Sequence, residues 1–318
     1  MKHLYIIGNG FDIHHEINSK YSDFRYWLDN NYPLLLESVE EVYGYCDSDW
    51  WGDFENNMAL LNAVEFSGRI AYENEPDLLS EHCDSTWTDA QIEVENRLNA
   101  IYNEIRERFH EWIKQLNNPN NDKKIELTLN DSIFFTFNYT KTLENLYKIP
   151  SSNIIHIHGC VDENEDFILG HGKSHEYISS KNPKPEFPNP PAELTVEVLE
   201  QYYEERAELA EQLHQQLARE AAIDRVASQQ KPVKSIIEKN KPFFERVKGV
   251  QNIHIYGFSF SEIDMPYIEA IIDVVDIKNT NWDISDYEKE NRLKINEFIS
   301  DHNIKRYSII ELSNLILK

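Results

Sequence analysis

The sequence predicts an α/β fold: a Rossmann-like, mostly parallel sheet with helices on both faces and large helical insertions, spread over residues 1–318 as a single domain. Three observations predict it. Short apolar, β-rich runs alternate along the chain with segments of helical period. Three of those runs end in a Gly- or Asn-bearing turn, at Gly8, Asn138 and Gly257. Apolar residues make up 41% of the composition and aromatics 12%, enough for one sizeable core.

The first strand is expected at Leu4–Ile7, feeding the turn Gly8-Asn9-Gly10. From Ser22 to Val42, Phe24, Trp27, Leu28, Leu34, Leu35 and Val39 recur at helical spacing, and Asp53–Phe66 and Asp89–Leu116 continue in the same period. Between Glu37 and Glu95 the only Lys or Arg is Arg69, so residues 37–130 are expected to form an acidic helical insertion. Strands are then expected at Ser132–Phe137, Asn153–Ile157 and Asp166–Leu169. Pro183, Pro185, Pro188, Pro190 and Pro191 interrupt regular structure, and a long charged helix over Glu193–Arg225 follows them. Residues 176–232 are therefore a second insertion, a Pro-rich linker plus a solvated helix striped by Leu213 and Leu217. The α/β pattern resumes with a helix over Lys234–Val247, interrupted near Pro242, and a strand over Val250–Tyr256. A helix over Asp264–Val275, a strand over Trp282–Ile284, a helix over Glu288–Ser300 and a strand over Arg306–Ile309 complete it, with Leu312–Leu317 closing the chain.

The bulk properties exclude several classes. Mean hydropathy is -0.60, and no run approaches the ~20 apolar residues of a membrane span. The N-terminal apolar stretch is too short for a signal peptide, so a cytoplasmic protein is expected. The three cysteines, Cys46, Cys83 and Cys160, are widely spaced and suit neither a disulfide framework nor a zinc ribbon. A net charge of -25 argues against nucleic acid as a partner, because that affinity rests on Lys and Arg.

Four short stretches carry candidate chemistry. Gly8-Asn9-Gly10-Phe11-Asp12 allows close backbone approach to a phosphate but lacks the lysine of a P-loop. Asn138 ends an apolar strand, with Thr140 just beyond. His156-Ile157-His158-Gly159 sets two imidazoles on one side of a strand end, where a neutral ring is a suitable base near pH 7. Gly257-Phe258-Ser259 follows a late strand, with Asp264 beyond it.

In combination these motifs resemble the sirtuin-like NAD-consuming fold, and more specifically the AbiH phage abortive-infection family. Trp51-Gly52-Asp53-Phe54-Glu55 and Leu169-Gly170-His171 resemble that family too. The resemblance implies NAD⁺ as substrate, with no tightly bound cofactor and no metal. It assigns Asn138 and His158, with Asp12, to cleavage of the nicotinamide–ribose bond. It assigns Gly8, Asn9, Gly10, Phe11, Thr140, Gly257, Ser259 and Asp264 to nucleotide binding. Asn9 stands where sirtuins have Ala, Thr140 where they have Asp, and no zinc ribbon follows His158-Gly159, which argues against protein deacylation. The implied partners are a nucleotide, a phage-derived trigger or regulatory protein, and further copies of the chain.

Two rival readings stand beside this one. A non-catalytic nucleotide-binding sensor would use the insertions to hold a partner. A metal-dependent hydrolase would draw on His156, His158, His171 and His175, though that spacing matches no common zinc motif. An Arg–His ribonuclease pair at Arg106 and His110 has too short a spacing, and ion pairing is the expected role there.

Overall fold

In the computed structural model, the described residues are 2–75, 87–116, 118–161, 167–184, 195–211, 213–286 and 289–317. Six strands form one sheet: β1 (His3–Ile7), β2 (Ser132–Thr136), β3 (Ile154–His156), β4 (Asn252–Tyr256), β5 (Asn281–Ser285) and β6 (Tyr307–Ile310). Their order is β3-β2-β1-β4-β5-β6, and every pairing is parallel. The order therefore reverses direction at β1, between β2 and β4.

Both faces of this sheet are covered, which explains why its strands read as near-continuous apolar runs. Leu4, Ile6, Ile133, Phe135, Ile253 and Ile255 point to one face. There they meet Phe243 and Phe244 of helix Lys241–Arg246, Ile268 of helix Met265–Ile272 and Phe298 of helix Lys289–Asp301. Tyr5, Ile7, Phe134 and Tyr256 point to the other, against Phe11 of helix Asn9–His14 and Leu143 and Tyr147 of helix Thr142–Tyr147. Truncating one of these core side chains to Ala would cost about 2–5 kcal/mol.

The chain divides into two compact units. The first comprises residues 1–30, 106–169 and 231–318 and contains the whole sheet; the second comprises 31–105 and 170–230. The second unit's core is helical. Phe66 and Ile70 of helix Ala63–Glu73 share one apolar cluster with Ala218, Ala222 and Val226 of helix Leu213–Ala227.

Several elements differ from expectation for identifiable reasons. The Ser22–Val42 segment is two helices, Tyr21–Asn31 and Pro33–Tyr43, because Pro33 starts the second at its N-terminus. Asp53–Phe66 holds a one-turn helix, Phe54–Asn57, and the start of helix Ala63–Glu73, which Asn62 caps. Phe167–Leu169 is not a strand; the Ile168 amide bonds to the His158 carbonyl, and Asp166 lies outside the described residues. The charged segment is helical over Val196–Glu211 and Leu213–Ala227, and the latter stretch is no solvated arm. It buries Ala218, Ala222 and Val226, while Leu213 is 48% exposed. Pro185, Pro188, Pro190 and Pro191 lie outside the described residues.

Candidate functional site

Register assembles the site. Ile7 lies opposite Thr136 and Tyr256, and Thr136 opposite His156, so β1, β2, β3 and β4 end at one level. The residues that follow, around Gly8, Asn138, His158 and Ser259, therefore gather along one edge. In open α/β sheets ligands bind outside this edge, beside the point where strand order reverses.

Gly8, Gly10 and Gly257 hold the centre. The Gly10 amide donates to the Gly257 carbonyl at 2.8 Å, the Gly8 amide to Tyr256, and the Phe11 amide back to Gly8. A Cβ on Gly257 would lie 2.0 Å from the Phe11 nitrogen, and Gly257 itself has φ +67. The three amides of Gly8, Gly10 and Phe11 are thus engaged within the fold. Asn9 turns outward to Ser19, its amide donating to the Ser19 carbonyl and its oxygen accepting from the Ser19 hydroxyl. The Phe11 ring is buried against His15 and Tyr147.

On the β2 side, Asp12, Asn138 and Thr140 come together. The buried Asp12 carboxylate accepts from the Thr140 and Thr142 hydroxyls at 2.5 and 2.6 Å. Burial raises its pKa, while Thr140, Thr142 and Asn138 and the charge of His156 pull the other way. The Asn138 amide N–H donates to Thr136 Oγ1, and its carbonyl accepts from His156 Nδ1. Asn138 Oδ1 is buried with no hydrogen-bond partner among the described residues.

The two β3 histidines part company. His156 ends the strand, whereas His158 lies in the turn after it. His156 Nε2 stands 3.1 Å from Glu144 Oε1 on helix Thr142–Tyr147. Burial works against charge on His156, but the adjoining Cys160 and Glu144 side chains outweigh it and push its pKa up to about 10. One ligand atom each from Glu144, His156 and Cys160 lies within 4.8 Å of the others. His158 is enclosed by the rings of Phe137, Tyr139 and Tyr267. Burial, with Lys231 adding to it, drives its pKa well below 6.5, so the ring is neutral at pH 7. Its Nε2 lies 3.7 Å from Asp264 Oδ1 and has no hydrogen bond among the described residues. Ser259 is exposed, and its carbonyl faces Lys294.

A cleft of about 830 Å³ opens on the β4–β6 side, within the ~300–1,000 Å³ range of small-molecule sites. Gly10 and Gly257 line it together with Lys20, Ser285, Asp286 and Arg292. Asn138 and His158 do not line it. Sequence reasoning missed Lys20, Asp286 and Arg292; only the position of Asp286, just beyond a strand end, could have signalled one of them. Arg292 pairs with Asp286, while Lys20 and Arg292 bring positive charge to an otherwise acidic chain.

The remaining candidates have local partners. His171 and His175 belong to the second unit. There His171 Nε2 donates to the Val226 carbonyl and Nδ1 accepts from the Lys173 amide, while His175 pairs with Asp224. Arg106 reaches the Phe167 carbonyl at 3.5 Å, and the His110 ring packs against Phe167. Trp51 and Phe54 stack at 4.9 Å. Among the described residues no helix is long and apolar enough to cross a membrane.

Comparison with known proteins finds that residues 4–286 match a family model described as bacteriophage abortive infection AbiH. No curated protein and no solved structure matches.

Proposed function

The chain belongs to the AbiH family of bacteriophage abortive-infection proteins, and from that premise we propose that it acts by hydrolysing NAD⁺ or a related nucleotide at the edge where β1–β4 end. Two buried, unpartnered polar atoms carry the reading: Asn138 Oδ1 and His158 Nε2. Leaving such an atom without a hydrogen bond costs about 1–3 kcal/mol, a cost that a bound ligand or water would relieve. The strand order β3-β2-β1-β4-β5-β6 supports it, being that of the doubly wound, Rossmann-like dinucleotide-binding sheets.

In this reading the cleft beside Gly10 and Gly257 takes the phosphates, with Lys20 and Arg292 supplying charge. Asn138 positions the ribose and an attacking water. Neutral His158, close to Asp264, accepts the proton. Asp12 fixes the loop through Thr140 and Thr142. Breaking the nicotinamide–ribose bond develops positive charge on the sugar, so placement and electrostatic support matter more than a strong nucleophile. In this reading the closure of His158 by three aromatic rings corresponds to a resting state, as an activity harmful to its own cell would require. A phage-derived trigger would open it.

The test follows free nicotinamide from NAD⁺, with and without phage lysate. Wild type should release it, and Asn138→Ala and His158→Ala should each lose roughly 100-fold or more. The burial of both side chains favours a second reading, a nucleotide-binding sensor without turnover. Equal NAD⁺ binding with no release by any of the three proteins would establish that reading instead.

A further inference from the structure

We propose that Glu144, His156 and Cys160 bind a zinc ion. The proposal does not depend on the NAD⁺ reading, which uses none of these three side chains. One ligand atom from each lies within 4.8 Å of the others, and no disulfide involves Cys160, which is buried.

The orientation of His156 is that of a zinc ligand. Its Nδ1 can only donate to the Asn138 carbonyl, at 2.9 Å, which leaves Nε2 facing Glu144. A ligating imidazole commonly gives its other N–H to a backbone carbonyl, fixing ring and tautomer in this way. The Nε2–Oε1 separation of 3.1 Å is close to the edge of ~3.3 Å between nitrogen and oxygen ligands on one tetrahedral zinc. Glu144 Oε2 is buried and has no hydrogen-bond partner among the described residues, so the carboxylate keeps an oxygen in reserve. Thiolate, imidazole and carboxylate together suit zinc, whereas magnesium and calcium require oxygen alone. Three protein ligands leave a fourth position for water. The ion would tie helix Thr142–Tyr147 to the end of β3, and through His156 would hold the Asn138 backbone.

The alternative is a hydrogen-bonded network without metal. The full chain, without a histidine tag, is loaded with zinc, dialysed against metal-free buffer and analysed for metal; about one zinc per chain is expected. The cobalt-loaded protein should show tetrahedral visible bands and a near-ultraviolet thiolate-to-metal band. Cys160→Ser should lose the thiolate band and His156→Gln the bound metal. The double variant Cys46→Ser/Cys83→Ser leaves Cys160 as the sole thiol and should keep the band, which decides the matter even if Cys160→Ser fails to fold. Wild type without retained zinc, a cobalt spectrum without the thiolate band, or full metal retention in both Cys160→Ser and His156→Gln would overturn the proposal. None of these readouts involves NAD⁺, so failure of one reading leaves the other intact.

Discussion

Gly10 and Gly257 meet backbone to backbone, the amide of one donating to the carbonyl of the other at 2.8 Å. This contact joins the turn after β1 to the turn after β4, the two strands that flank the reversal of strand order. Gly257→Ala would drive a methyl group into the Phe11 amide and force an L-residue to φ +67. A loss of at least about 3 kcal/mol, or failure to fold, is expected in denaturant unfolding. Gly249→Ala, with nothing within 4 Å of the added carbon, should stay within about 0.5 kcal/mol of wild type.

His15 and Tyr147 give a pH-dependent prediction. His15 Nδ1 donates to the Phe11 carbonyl, Nε2 accepts from the Tyr147 hydroxyl, and that oxygen accepts from the Ile125 amide. Every partner is matched to a neutral ring, and burial lowers the His15 pKa to about 4. The unfolded chain binds this proton near 6.5, so stability is present above that pH and lost as pH falls toward 4, by up to about 3 kcal/mol. Tyr147→Phe should cost roughly 1–3 kcal/mol at pH 7 by stranding His15 Nε2 and the Ile125 amide. Melting curves across this range measure both effects.

Asp12 has the opposite sign. Its carboxyl pKa is raised, so the fold holds the proton more tightly than the unfolded chain does. That contribution is complete below the ordinary value of 3.8 and is lost as pH rises through the folded pKa. Asp12→Asn cannot titrate. Its melting temperature relative to wild type should therefore climb as pH rises from the acid end.

The cleft predicts where nucleotide affinity resides. With the Gly8, Gly10 and Phe11 amides engaged, phosphates in the cleft would rely on Lys20 and Arg292. Lys20→Ala or Arg292→Ala should weaken NAD⁺ binding by about tenfold, one charge-assisted hydrogen bond each, in titration calorimetry. A Kd unchanged in both variants would place the phosphates elsewhere.

Most of the sheet was legible because buried parallel strands announce themselves as β-rich apolar runs, and β1, β2 and β4 fell within two residues of expectation. Phe167–Leu169 carries the same composition but forms no ladder; the His158 carbonyl and the Tyr139 hydroxyl bind Ile168 instead. Helix Leu213–Ala227 misled for a different reason. Its buried face runs through Ala218, Ala222 and Val226 with His214 and Arg219, because closely packed helices select small side chains, and a stripe of large apolar residues is the wrong signature. The strand-end residues of the site were legible as motifs. Lys20 and Arg292 were not, since nothing local marks two separated cations that share a hollow.

That helix yields the fifth prediction. Ala222 is fully buried in the second unit's core, and Ala222→Leu should cost about 1–3 kcal/mol by overpacking. Unfolding of Gln215→Ala, an exposed position on the same helix, serves as the comparison and should barely change.

The second unit is assembled from two stretches, 31–105 and 170–230, that the chain delivers at different times during synthesis. Phe66 and Ile70 leave the ribosome long before Ala218 and Ala222, the side chains that cover them. Val94 and Leu98, from the earlier stretch, share that cluster, so a growing polypeptide carries a part-covered apolar helix until translation is well past its midpoint. A chain stopped in between leaves part of that apolar face open, the kind of exposed surface that makes incomplete chains prone to aggregate.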